Sequence, residues 1–376
     1  MTHGDFMHRP SLALPAAMHH SRCALAALAL AGSTGAAFAH SSVTLFGGLD
    51  AGMRHVSNAA GSKTAMQSGN NYTSRWGIRG EEDLGGGLKA SFWLETALNV
   101  ANGNAGSTNQ FWDRRSTVSL SGSYGELRLG RDYTPIFRGF SPTDIFGYAG
   151  AASMVSLYSA SASNVVSRAF GTKTSSIART NGAVQYFTPA TLGGFYLNAM
   201  YANTGGGAAS GDYDYKGLRV GYNAGPLDLA VSGGRTRIDH NGQNQNFAIH
   251  SVSAIYRLPN RAKLTAGVVQ MKYMDAKQAN YSVGVDYPIG VGQVRATFHH
   301  IDQSGRAANG THVGGQDANM LALGYVHNLS KRTAVYGTAA FFRNQGSARF
   351  TVPGGPSGSA AGTNSRGFDV GLRHIF

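Results

Sequence analysis

From Val43 onward the chain sets apolar against polar residues one by one. In SSVTLFGGLDAGMRHV, Val43, Leu45, Leu49, Ala51 and Met53 share one face, and Thr44, Asp50 and Arg54 share the other. A period of two is the signature of a strand. The stretch 74–87, SRWGIRGEEDLGGG, sets Trp76 and Ile78 apart from Arg75, Arg79 and Glu81 before a glycine-rich turn. It returns through LKASFWLETALNV, where Leu88, Ala90, Phe92 and Leu94 oppose Lys89, Ser91 and Glu95. One face of each strand suits lipid and the other suits water. The last residues, GFDVGLRHIF, alternate in the same way, so the chain stops inside a strand that needs a partner.

The connections divide into two kinds. Short turns fall at DLGGG (83), SYGE (123), PATLGG (189), NAGPL (223), LPNRA (258), YPIGVGQ (287) and NLSKR (328). Longer polar or glycine-rich stretches lie between them, at 58–70, 203–212, 237–246, 303–319 and 344–365. Short turns at one rim and long loops at the other are the pattern of a bacterial outer-membrane barrel. The seven turns separate eight two-strand units, which predicts an all-β fold: a 16-stranded antiparallel transmembrane β-barrel. Closure by pairing the last strand with the first is required, because an open edge in lipid leaves backbone groups unpaired. A barrel of this size keeps an aqueous lumen.

One segment breaks the alternation. From Asp132 to Arg179 the chain is too long for a hairpin turn, and a loop of that length inside an ordered domain is usually functional or disordered. It is expected to fold into the lumen and to form the constriction. Its only carboxylate between Tyr133 and Arg179 is Asp144, against Arg138, Arg168 and Lys173, so the constriction is expected to be net basic. Rings or clusters of Arg and Lys favour anions.

Composition agrees. The chain has 52 glycines, 10 prolines, only 14% charged residues and a mean hydropathy of -0.18. Beyond the N-terminal region no apolar run reaches the roughly 18 residues of a membrane helix. The formal net charge of +13 is dispersed singly through alternating segments, which argues against nucleic acid as a partner. Residues 18–39 combine Arg22, an apolar stretch from Cys23 to Ala31 and small residues at Ala37 and Ala39. This predicts a secretory signal peptide cleaved after Ala39, within a 1–39 leader in which Met18 is an alternative start, followed by a barrel over 40–376. Removing the leader takes away Arg9, Arg22 and Asp5, so the charge excess belongs to the barrel. It also removes Cys23, the only cysteine.

SSVTLFGGLDAG, SRWGIRGEEDLGGGLKASFWLE, DRRSTVSLSGSYGELRLGRDYTP, RTNGAVQYFTPATLGGFYLNAMY and the terminal GLRHIF follow one another in an order that resembles the general trimeric porins of Gram-negative outer membranes, especially the β-proteobacterial type. The resemblance spans essentially all of 40–376. It implies a multi-pass barrel in the outer membrane, a homotrimer, an inward-folded third extracellular loop and a basic cluster on the wall facing it. It implies passive diffusion of small hydrophilic solutes, inorganic anions among them, with no cofactor. By position in the motifs the basic wall is Arg75, Arg114 and Arg179. Alternation places Arg115 rather than Arg114 on the water-facing side, since Arg114 shares the parity of Val118 and Leu120. A bulge would reconcile the two, and both residues stand as candidates.

Plainer roles compete with these. Arg79, beside Glu81 and Glu82, is expected to be a solvated wall residue or a salt-bridge partner, and Asp144 can simply cap a turn. Phe146, Tyr148 and Tyr158 can pack the loop against the wall. His299 and His300 point to opposite faces of a strand, which speaks against a metal site. No nucleophile and base come together by spacing, so an enzyme is not expected. The rival function is a binding or adhesion barrel acting through its long loops, but these are small and polar with few aromatic anchors.

Overall fold

The computed structural model describes residues 42–158, 164–171, 173–204 and 213–376. The expected leader and its cleavage site lie outside the described residues. The first strands are β1 (Ser42–Asn58), β2 (Gly61–Ser68), β3 (Arg75–Gly85), β4 (Leu88–Ala97), β5 (Arg115–Gly122) and β6 (Gly125–Tyr133). The third long connection then holds α1 (Pro135–Phe140), α2 (Val155–Tyr158) and α3 (Val165–Phe170). The wall resumes with β7 (Arg179–Phe187), β8 (Phe195–Ala202), β9 (Asp214–Ala224), β10 (Leu227–His240), β11 (Gln243–Arg257) and β12 (Lys263–Tyr273). It ends with β13 (Ala276–Ile289), β14 (Gly292–Ser304), β15 (Ala318–Asn328), β16 (Thr333–Asn344) and β17 (Ser365–Ile375).

Every strand is antiparallel to its neighbours, and β17 pairs with β1 from Gly48↔Ile375 to Ser57↔Arg366, which closes the barrel. Seventeen strands fill sixteen wall positions. The upper half of β1 pairs with β2 and its lower half with β3, so β2 and β3 are one wall strand interrupted at 69–74. Alternation sorts the faces as expected: Val43 is 71% exposed and Leu45 61%, whereas Asp50 is 0% and Arg54 7%. Outward apolar side chains meet lipid, and inward ones pair across a polar interior.

The seven short turns fall where the sequence places them. Two of the expected long stretches do not. Residues 58–70 contain β2, folded back on β1 with Asn58↔Gly61 as the last pair. Residues 237–246 are the continuation of β10 and β11, joined by a tight turn at Asn241 and Gly242, with His240↔Gln243 closing the ladder. Both strand pairs extend past the apolar belt, where each face is polar and alternation carries no signal.

The third loop packs on lumen-facing wall residues. Thr134 caps α1 by accepting from Phe137 N at 3.3 Å, and Pro135 starts the helix without losing a needed donor. Gly139 presses on the wall so closely that a β-carbon there would collide with Ser232 Oγ. Ser253 Oγ donates to Gly139 O (2.8 Å), Thr265 Oγ1 to Thr143 O (2.9 Å) and Gln278 Nε2 to Leu157 O (3.1 Å). At the far side Ala151 N donates to Asp369 Oδ2 (2.7 Å). Ile136, Phe140, Ile145, Phe146, Met154 and Leu157 are buried beneath these bonds. Phe146 and Tyr158 thus pack the loop, which is the plainer role the sequence offered them.

Candidate pore constriction

The upper ends of β3 to β7 bring the predicted basic residues together. Arg75 opens β3, and Arg179 opens β7 as the register partner of Tyr133. Arg114 directly precedes β5, and its N–H bonds Glu95 O at 3.1 Å. Because the strand begins only at Arg115, parity does not govern Arg114, and its side chain turns inward. No bulge is needed: both arginines face the interior and divide between two acids.

Glu95 gathers the first group. It accepts from Arg114 Nε at 2.6 Å and Trp93 Nε1 at 3.0 Å, and lies 3.6 Å from Arg75 Nε. Tyr133 joins the group to β7, since its hydroxyl accepts from Arg114 Nη2 (2.8 Å) and Arg179 Nη2 (2.7 Å). The Arg179 guanidinium also lies 4.2 Å from the Tyr133 ring centre. Asp132 gathers the second group, with Arg128 at 2.6 Å, Arg138 at 2.8 Å and Arg115 at 3.7 Å. Arg115 stacks over Trp93 at 4.4 Å. Each buried carboxylate thus serves more than one guanidinium, so both groups remain net positive.

An opening of about 410 Å³ separates this wall from the loop. Arg75, Arg114, Arg179 and Tyr133 line it from the wall, and Phe137, Tyr148 and Tyr158 from the loop. Arg115 instead lines a second interior space of about 420 Å³ with Arg79, Glu81, Glu126 and Arg128. The other loop candidates lie elsewhere. Arg138 is tied to Asp132, and burial lowers its guanidinium from the ordinary value. Arg168 sits on α3, where burial acts the same way, and Lys173 is exposed beyond it. None of the three is among the residues lining the first opening.

Asp144 is corrected more sharply. It is 4% exposed and accepts the backbone N–H groups of Phe146 (2.9 Å), Tyr148 (3.0 Å) and Met154 (3.0 Å). Burial pushes its carboxyl up to about 6 against the pull of those donors. It holds the loop's own turn, including Tyr148 at a φ of 63°, and does not face the opening. Arg79 forms no ion pair among the described residues: Glu81 pairs with Lys89 at 2.6 Å, and Arg79 is exposed, 5.0 Å from the Trp93 ring centre.

Sequence reasoning missed the parts that hold Arg75 in place. Asp50 accepts from the N–H groups of Asn70 (3.0 Å), Asn71 (2.9 Å) and Tyr72 (2.8 Å), fixing the interruption between β2 and β3. Tyr72 OH then accepts from Arg75 Nε at 2.8 Å. Arg54 binds both oxygens of Asp369 and Asn70 Oδ1, so the break, β17 and the tip of the third loop form one network. The signal available was Asp50 itself, the one carboxylate of β1, in a lumen-facing position between glycines at 47, 48 and 52.

A closed barrel with a charged interior and a loop packed against its inner wall is the architecture of a transmembrane diffusion channel. The comparisons with known proteins agree. Residues 24–347 match the Gram-negative porin family, and the chain belongs to that family. Outer membrane porin protein 32 of Delftia acidovorans is 36% identical over 94% of this chain and 99% of its own length. A solved structure described as the anion-selective porin from Comamonas acidovorans has a TM-score of 0.77 at 35% identity, covering 89% of this chain and 100% of that one. OmpT of Vibrio cholerae in its trimer form has a TM-score of 0.63 at 16% identity, covering 89% of this chain and 99% of that one, a likeness of fold alone. The protein is thus an outer-membrane porin that passes small hydrophilic solutes passively, and not an enzyme.

Proposed function

We propose that the pore prefers anions, and that Arg75, Arg114 and Arg179 carry the preference. The observation behind this reading is their convergence on one opening, with Glu95 the carboxylate paired to two of them. An anion entering the opening exchanges part of its hydration for guanidinium donors already fixed by Glu95, Tyr133 and Tyr72, so little reorganisation opposes it. A cation meets the same groups as a barrier. Arg115, Arg128 and Arg138, balanced only in part by Asp132 and Glu126, extend the positive potential along the wall below. The selectivity printed for the Comamonas acidovorans structure is in line with this reading. Arg168 and Lys173 act, if at all, on the approach rather than at the opening.

The test is the zero-current potential in a planar bilayer under a KCl gradient, with Arg75→Gln, Arg114→Gln and Arg179→Gln made singly. Wild type should favour chloride, and each change should reduce the preference. A potassium preference in wild type would overturn the reading. We further propose a homotrimer in which the exposed apolar face of β1, with Val43, Leu45, Leu49 and Met53, is covered by a second copy. An unheated sample in mild detergent should have about three times the subunit mass by light scattering, and a monomer there would sink this part.

A further inference from the structure

We propose that the opening takes organic anions with a flat apolar body, aromatic monocarboxylates above all, and that Phe137 and Tyr148 set this specificity. The proposal rests on the anion preference put forward above and adds what the loop contributes to it. The two sides of the opening differ in kind. The wall side carries Arg75, Arg114 and Arg179. Among the described residues, the loop side from Phe137 to Ala178 contributes rings and aliphatic groups, with two serines and no charged side chain.

The rings on the loop side form one continuous block. Phe137 stacks on Tyr133, with ring centres 4.9 Å apart and planes 7° from parallel, and meets Tyr148 edge to face at 4.8 Å. Phe140 lies behind them, 5.7 Å from Phe137, 6.0 Å from Tyr148 and 5.4 Å from Tyr158. Phe140 and Tyr158 are buried and back the block, whereas Phe137 and Tyr148 are half-buried and turn their remaining surface to the opening. Tyr148 is held there against its own preference. A φ of 63° is an outlier for an aromatic residue, and it persists because Asp144 accepts from the Tyr148 N–H at 3.0 Å. The Tyr148 hydroxyl has no hydrogen-bond partner among the described residues, so the packing of the ring fixes its place. Tyr133 joins the two sides, since one guanidinium, that of Arg179, lies 4.2 Å from the same ring on which Phe137 stacks.

This two-sidedness selects among anions. A small inorganic anion at the arginines turns its other side to the loop, where a carbon surface offers no donor in exchange for lost water. An anion with an apolar flank uses both sides. Its carboxylate takes paired guanidinium donors, and its ring lies offset or edge-on against Phe137 and Tyr148. Neither side has to rearrange, because Glu95, Tyr133 and Tyr72 hold the arginines and the rings hold one another. The opening, about 410 Å³, falls within the roughly 300–1,000 Å³ of small-molecule sites, enough to admit one ring. One carboxylate and one half-covered ring also bind weakly enough to leave again, which passage requires.

The experiment measures zero-current potentials of the purified protein in a planar bilayer, with sodium chloride on one side and sodium benzoate or sodium acetate on the other, well above the pKa of either acid. Benzoate is the larger ion, so a plain aqueous pore passes acetate more readily. Wild type should instead favour benzoate over acetate by roughly twofold to tenfold in permeability. Tyr148→Asn removes the ring with a residue that tolerates the same φ, and should restore the order of acetate over benzoate with potassium still disfavoured against chloride. Tyr148→Phe keeps the ring and should keep the benzoate preference. If Tyr148→Asn does not fold or loses the chloride preference, Phe137→Leu takes its place, keeping an apolar side chain without the ring, and the same reversal is expected. Acetate favoured over benzoate in a wild type that prefers chloride would overturn the proposal and leave the anion reading standing. A benzoate preference that survives loss of the ring would do the same. A wild type that prefers potassium would overturn both.

Discussion

Glu95 sets how much of the arginine charge the pore feels. Its carboxylate lies 2.6 Å from Arg114 and 3.6 Å from Arg75, so it both positions and partly neutralises them. These two effects predict opposite outcomes. Glu95→Gln keeps an acceptor of the same shape and removes the charge, so chloride preference should rise above wild type in the same zero-current measurement. If the preference falls instead, Glu95 acts mainly by holding the guanidinium groups in line. Arg114 keeps its bond to Tyr133 in either case, and Tyr133 also bonds Arg179. Hydrogen bonds to charged groups contribute about 1.5–3 kcal/mol each, enough to keep the two arginines ordered when one partner is changed.

The third loop depends on contacts made along its whole length. Gly139 is its tightest contact, because α1 meets the wall with no room for a side chain. Gly139→Ala should lift α1 from Ser232 and Ser253 towards the arginine wall, narrow the opening and lower single-channel conductance, with faster proteolysis inside 134–178. Overpacking of this kind costs roughly 1–3 kcal/mol. An unchanged conductance and cleavage rate would show that the loop accommodates the methyl group elsewhere. This seat was not legible in the sequence. The alternation of Val43 to Met53 and the short turns gave the wall and its strand number, because lipid on one side and water on the other impose a period of two. The same rule failed at 58–70 and 237–246, where water wets both faces of β2 and of the upper ends of β10 and β11. It failed also for the loop, whose bonds to Ser253, Thr265, Gln278 and Asp369 join residues far apart in the chain. Arg75 was legible because its strand is regular. The parity of Arg114 misled, because parity has meaning only inside a strand, and β5 starts one residue later.

At the scale of the whole barrel, two charged zones occupy different solvents. The inner arginines line the interior opening, while Lys216, Arg235, Lys272 and Lys277 are exposed on the outer face of the wall, so a count of net charge mixes two environments. A final consequence concerns order in time. The loop leaves the wall at β6, but its seats lie on β11, β12, β13 and β17, separated from it by 114 to 218 residues. A chain still assembling lacks these seats, so the loop cannot be fully held until the last strand arrives. Protection of 134–178 from protease during refolding should therefore never run ahead of the pairing of β17 with β1, and earlier protection would contradict this order. The seated third loop is the last part of the molecule to exist.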